Sequence, residues 1–333
     1  MAFEKRALAG RQVHPVGLGC MNLSWAYGDP PPHGDRIRLL ERALDLGIDH
    51  LDTANIYGLG KNEELLGEAV MDRRADFLLA SKMAIIVRDD GKRGIDCSPG
   101  AIARSIDESL ARLKTDRIDL YYMHRFDPAV PVAEMAGAMA RLIEAGKIGS
   151  YGVSEWSAAH IREAHAECPM AAVQTEYSLW TRQPEIAVLE TTRELGIAFV
   201  AFSPVGRGAL TGTIGEAPAF GQADIRAGMP RFDAEHWPAN HALIAEFCAL
   251  ANRAGVTPAQ LALAWVLAQG PHVHAIPGTT SIAHLEENFG MLSCDIAPET
   301  IAEAGALVGR RSVSGPRYNS AMQASIDTED FAD

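Results

Sequence analysis

The stretch GDRIRLLERALDLGIDHLDTANIYG, Gly34 to Gly58, joins two kinds of pattern. Its first part, GDRIRLLERALDLG (34–47), reads as an amphipathic helix. Its second, GIDHLD (47–52), is a short apolar run closed by Asp52, and Tyr57 follows five positions later. Asp and Tyr beside a turn are common, so the pair alone fits an ordinary strand end as well as it fits chemistry. Its meaning depends on what the rest of the chain brings to the same place.

The rhythm of this stretch recurs along the chain. Apolar runs stand at 15–20 (PVGLGC), 47–52, 77–82 (FLLASK), 117–124 (RIDLYYMH), 148–154 (IGSYGVS), 171–176 (AAVQTE), 197–203 (IAFVAFS) and 273–278 (VHAIPG). Helical patterns separate them. In SPGAIARSIDESLARLKT (98–115), Ser98 is placed to cap, Pro99 suits the first helical position, and Ile102, Ile106, Leu110 and Leu113 share a face. VAEMAGAMARLIEAGK (132–147) ends on a glycine and a lysine, as helices do. Strand–helix alternation repeated eight times implies a parallel sheet, closed most economically as a (β/α)8 TIM barrel. We expect one domain: a short N-terminal hairpin cap, the barrel at about 14–292, and a C-terminal helix and tail at 293–333. A doubly wound open sheet is the competing architecture, but GLGCMNLSWAYG lacks the third glycine of a dinucleotide-binding G-x-G-x-x-G turn. Residues 204–240, rich in Gly and Pro, interrupt the rhythm, and the polar tail 315–333 reads as partly disordered.

Composition narrows the function classes. The 333 residues are 47% hydrophobic and 22% charged, enough for a large core. Lys+Arg 30 against Asp+Glu 43 gives a net charge of −13 without a basic run, which argues against nucleic acid and anionic membranes as partners. Five scattered cysteines, without C-x-x-C spacing, and an N-terminus without an apolar signal core point to reduced thiols in the cytoplasm. His50 and Asp52 could suggest metal ligands, but no second His-rich strand end supports them, so no metal is expected. His272 and His274 precede the chemical end of their strand and read as structural.

In a barrel of this kind, reactive groups gather at the C-terminal ends of the strands. Asp52, Lys82, His124, Ser154 with Glu155, and Gln174 close five consecutive runs, and Tyr57 lies in the loop after the first of these. Asp52, Tyr57, Lys82 and His124 make chemical sense as a unit. A free tyrosine, with a pKa of about 10, donates its proton poorly near neutrality. An adjacent ammonium favours the phenolate and so eases the transfer. Lys82 can supply that charge, Asp52 can hold Lys82 protonated, and His124 can donate a hydrogen bond to a substrate oxygen. The set suits hydride addition to a carbonyl.

The ordered pieces GIDHLDTANIYG, ASK, LYYMH, GVSE, VQTEYS, FSPVGRG and IPGTTSIAHLEEN resemble the aldo-keto reductase superfamily, and YSLWTR, SPVGRG and LAWVLAQG resemble its bacterial and plant-type branch. The resemblance implies an NADPH-dependent reductase of aldehydes or ketones, with NADH as the other possible cofactor and Tyr57 as general acid. It implies cofactor contacts at Gly19, Cys20 and Met21; at Ser154, Glu155 and Gln174 for the nicotinamide carboxamide; and at Phe202 for the nicotinamide ring. Ser203, Pro204, Val205, Gly206 and Arg207 would wrap the pyrophosphate, with Gly278, Thr280, His284, Glu287 and Asn288 at the adenosine end. Trp25, Tyr27 and Trp156 are the substrate-pocket candidates, with Arg317 and Tyr318 of the tail as further contacts.

Three departures stand out. Glu155 replaces an asparagine common in relatives, and its carboxylate can still accept from the carboxamide NH2. Phe202 stands where Tyr or Trp is usual and keeps the flat face. Thr213, Gly278, Ser281 and His284 occupy positions where a base for the 2′-phosphate can occur, which leaves Arg207, Arg226 or Arg231. Two rivals follow from the same resemblance: an NAD(P)-linked sugar or alcohol dehydrogenase, and a cofactor-sensing subunit like those of potassium channels. The substrate itself and the oligomeric state are not legible.

Overall fold

The apolar run 77–82 appears in the computed structural model, which describes residues 3–88 and 90–331, as a fully buried strand from Leu78 to Met83. In chain order the strands are β1 (Arg6–Leu8), β2 (Arg11–Val13), β3 (Leu18–Gly19), β4 (His50–Asp52), β5 (Leu78–Met83), β6 (Ile85–Val87), β7 (Arg93–Ile95), β8 (Ile118–Met123), β9 (Ile148–Ser154), β10 (Ala172–Glu176), β11 (Ala198–Phe202) and β12 (Val273–Ile276). Every one of the eight apolar runs contains a strand of one parallel sheet, in the order β3-β4-β5-β8-β9-β10-β11-β12. Parallel bridges Val16–Ala275 and Gly19–Gly278 join its two ends and close the barrel. The helices at 33–45, 99–113 and 132–144 match the sequence reading, and the Ser98 side chain accepts from the Ala101 N–H at the second of these.

Period-two alternation decides what faces the lumen. Leu78 and Ala80 of β5, Leu120 and Tyr122 of β8, Ala172 of β10 and Val200 of β11 pack together inside the barrel. Their neighbours Leu79, Tyr121, Val173 and Phe199 pack outward in the helix-facing core. The same alternation aims Lys82 and Gln174 inward at the upper ends of β5 and β10. Gly152 is required by closeness: a Cβ there would lie 2.5 Å from the Ala172 carbonyl oxygen and 2.6 Å from the Tyr122 ring. The antiparallel hairpin β1–β2 plugs the lower end with Leu8 and Val13.

Two regions differ from the sequence reading. An unanticipated antiparallel hairpin, β6–β7, rises from the top of β5. The tail was expected to be partly disordered, yet it is described through Phe331, with Arg317 and Tyr318 buried and a short helix at Ser320–Gln323. Residues 204–240 form 3-10 turns at 206–211, 225–228 and 230–232. This insertion crosses to the loop after β3, where Tyr27 bridges Asp224 and the Ile225 N–H donates to the Ala26 carbonyl at 2.9 Å.

At the lower end, His50 and His274 are wholly buried, and His274 Nε2 lies 3.2 Å from the Ala7 carbonyl oxygen. Burial depresses both imidazoles, His50 to about 4 and His274 to about 3, so both are neutral in the folded protein. The unfolded chain therefore binds more protons below about pH 6.5, and stability falls on acidification. We expect the unfolding free energy to drop between about pH 6.5 and pH 5 by up to about 1.4 kcal/mol per pH unit per histidine. Denaturant titrations across that range check this, and His274→Gln should flatten the slope by one histidine's share.

Candidate active site

Lys82 is held from several sides at the barrel mouth. Its ammonium is fully buried, ion-paired to Asp52 Oδ1, and donates to the Thr53 carbonyl at 2.8 Å. It lies 3.3 Å from Tyr57 Oη. Burial works against this charge, but Asp52 and Tyr57 together overcome it and raise the ammonium above its ordinary value. Gln174 Nε2 donates to the second Asp52 oxygen at 2.8 Å, so the carboxylate is held from opposite sides of the barrel. Tyr57 is presented by the turn after β4, where its N–H donates to the Ala54 carbonyl at 3.1 Å.

His124 follows β8 and lies edge-on to Tyr57, ring centroids 5.8 Å apart. Burial, then Arg125, Lys82 and Arg93, depress it well below the ordinary histidine value, so it is a neutral imidazole. The Tyr57 hydroxyl corrects the sequence expectation of a lowered pKa. Its net shift is upward because burial outweighs the opposing charge of Lys82.

Asp52, Tyr57, His124 and Gln174 open on one cavity of about 1340 Å³. That exceeds the roughly 300–1,000 Å³ typical of a pocket for one small molecule. Of the cofactor candidates, Gly19, Met21, Phe202, Ser203, Pro204, Val205, Arg207, Gly278, Thr280, His284, Glu287 and Asn288 line it, as do Trp25 and Tyr27. Ser154 is paired in register with Gln174, and its buried hydroxyl has no partner.

Four candidates are placed elsewhere. Cys20 is buried in the helix-facing core, its Sγ toward the Leu18 carbonyl at 3.6 Å. Gly206 is buried beside Leu210 and Trp180. Trp156 is also fully buried, edge-on to Phe126, and belongs to the core instead of a substrate pocket. The fourth, Glu155, has its carboxylate fully engaged. Arg317 donates to both oxygens at 3.0 and 2.6 Å, and the Glu176 N–H and Thr328 Oγ1 donate at 2.9 and 3.0 Å. Burial would raise this carboxyl, but Arg317 holds it below its ordinary value.

Sequence reasoning missed this polar cluster. Glu176 pairs with Arg207 and accepts from Arg317 at 3.2 Å and from Tyr318 Oη at 2.9 Å. Arg207 is therefore committed to Glu176, and Arg231 is buried against the Trp180 and Gly315 carbonyls. Arg226 reaches the cavity while bonded to Asp224 at 2.6 and 2.9 Å. Also missed were Arg88, Arg93 and Arg125 on the cavity wall. The Asp90-Gly91 pair between IIV and RGI was the available signal for the hairpin that carries two of them. Among the described residues no group of three or more His, Cys, Asp or Glu is placed to hold a metal ion.

Removing Arg317 would leave Glu155 buried without its cation. We expect Arg317→Met to lower the unfolding free energy by about 3–5 kcal/mol, and Glu155→Gln in the same chain to restore part of it. Chemical denaturation of the two variants measures both effects.

The family model described as "Aldo/keto reductase family" matches residues 15–308. The chain is 40% identical to "Probable aldo-keto reductase 1" of Glycine max over 94% of this chain and 91% of that protein. It is 38% identical to "Aldo-keto reductase yakc [NADP(+)]" of Schizosaccharomyces pombe, covering 96% and 95% of the two chains. Among solved structures, the glycerol dehydrogenase from Gluconobacter oxydans superposes with a TM-score of 0.84 at 28% identity, covering 95% of this chain and 98% of the other. Shared barrel, shared length and sequence likeness along nearly the whole chain have one meaning: this protein belongs to the aldo/keto reductase family.

Proposed function

We propose that the protein reduces an aldehyde or ketone to an alcohol, with NADPH as the hydride source and Tyr57 as general acid. The observation that carries this reading is the buried contact of Lys82 with both Asp52 and Tyr57 beside a neutral His124. NADPH, when bound, supplies the hydride that adds to the carbonyl carbon. Several features of the cavity fit that group. Gln174 on its wall, with the unpartnered Ser154 hydroxyl on the neighbouring strand, suits a carboxamide, and Phe202 offers a flat face. Ser203, Arg207 and Gly208 on its wall have φ of 50°, 56° and 90°. Left-handed positions of this kind in a turn suit anion binding. Thr280, His284 and Asn288 would hold the adenosine end. The NADP(+) in the name of the Schizosaccharomyces pombe relative supports the choice of cofactor.

The chain's own residues handle the proton. His124, being neutral, keeps one N–H to donate to the carbonyl oxygen and so orients the substrate. As negative charge builds on that oxygen, the Tyr57 hydroxyl gives up its proton to it. The charge of Lys82 stabilises the phenolate that remains, and Asp52 keeps Lys82 aimed. Run backwards, the phenolate takes the alcohol proton, so the same site serves oxidation. Five free cysteines support the expectation of a reducing, cytoplasmic setting.

Tyr57→Phe removes the transferable proton and little volume. Its kcat for any accepted carbonyl should fall by about 10²–10⁴-fold or more while NADPH still quenches protein fluorescence. An unchanged rate would overturn the assignment of Tyr57.

A further inference from the structure

The residues assigned to the cofactor sit mainly at the tips of β11 and β12, and the opposite wall of the ring is formed by β5 and β8. Three arginines stand there, Arg88, Arg93 and Arg125, and the last two carry the argument. Arg93, on the hairpin above β5, lies with its guanidinium 4.3 Å from the centroid of the Trp25 ring. Arg125 follows His124 directly and donates to its carbonyl at 2.6 Å. Both line the cavity that Tyr57 and His124 open on.

Neither guanidinium has a carboxylate partner among the described residues. The nearby acids are occupied with backbone: Asp127 accepts from the Cys97 and Ala129 N–H groups at 2.9 and 3.0 Å, and Asp96 from the Ser98 N–H at 3.0 Å. The contrast lies across the same cavity, where Arg207 pairs with Glu176 and Arg226 with Asp224. A chain with 43 acidic and 30 basic residues has carboxylates to spare. Arg93 is solvent-exposed at the rim of the cavity, and the charge of Arg125 adds to the cost of its own partial desolvation in lowering its guanidinium from the ordinary value. An anion in the cavity would be attracted by both. A guanidinium braced by an indole face is also pre-set for two-pronged contact with a carboxylate or phosphate.

We propose that Arg93 and Arg125 bind an anionic group of the substrate, so that the enzyme takes carbonyl compounds bearing a carboxylate or phosphate. The proposal rests on the reductase reading above for the carbonyl end only. With the carbonyl oxygen at His124 and Tyr57, the anionic end points toward the β6–β7 hairpin.

The test uses the full chain with three probes of one shape: 4-formylbenzoate, 4-formylphenyl phosphate and the neutral methyl 4-formylbenzoate. Calorimetry should show at least one anion binding about 10- to 100-fold more tightly than the ester. Arg93→Met and Arg125→Met should each erase most of that preference, with Arg93→Lys retaining more of it and melting temperatures confirming folding. Whichever anion is favoured identifies the ligand chemistry. Equal binding of all three probes, or variants that weaken the ester as much as the anions, would overturn the proposal. NADPH oxidation in the same samples separates the two readings. Anion preference without turnover of any probe keeps this site and rejects the reductase, whereas turnover of the ester at least as efficient as that of both anions rejects this site alone.

Discussion

An ammonium ion with no access to water is what the barrel mouth is arranged around. A lone buried charge costs several kcal/mol, and Lys82 persists at 0% exposure only because Asp52, the Thr53 carbonyl and Tyr57 all face it. Each partner comes from the segment 52–57, which is why an aspartate closing a strand and a tyrosine five residues on belong together. Asp52 is held in turn by Gln174, from a strand 122 positions away. Loosening any of these contacts leaves a charge or a polar atom stranded in a dry place, so the geometry is rigid before any ligand arrives.

Charge is handled in opposite ways on the two sides of the cavity. On the β9–β11 side, Glu155, Glu176, Arg207, Arg317 and Tyr318 form a closed network in which every carboxylate meets a cation. That network anchors the tail and, through Arg207, the first turn of the 204–240 insertion. Asp327 and Glu329 extend the anchoring by accepting from the Ser157 and Ala158 N–H groups at 2.8 and 2.7 Å. On the β5–β8 side, Arg93 lies over Trp25 and Arg125 bonds the His124 carbonyl, and neither has a carboxylate ion-pair partner among the described residues.

The barrel was legible because its strands are buried on both faces and its helices on one, so their apolar runs alternate cleanly along the chain. The groups of the candidate site were legible for a related reason: polar residues at the ends of apolar strands have few structural excuses. Interactions over long sequence separations were not legible. Glu155 looked like a ligand for the cofactor because it follows Ser154, and nothing local reveals that Arg317 claims it 162 positions later. The polarity of the tail suggested disorder for the same reason, since its partners lie in other strands. Trp156 was misread because a tryptophan after a strand end can turn either way, and here it turned into the packing around Phe126. The expected lowering of the Tyr57 pKa weighed one charge and left out the burial that the closed barrel imposes.

The protonation state of Lys82 tests the central claim most directly. With 15N-labelled lysine and a Lys82→Met variant for assignment, NMR follows the Nζ resonance as pH rises. The account predicts an ammonium that persists above the ordinary lysine value of 10.5, because Asp52 and Tyr57 both favour the charge. A Lys82 that titrates well below that value, and is neutral near pH 8, would contradict it.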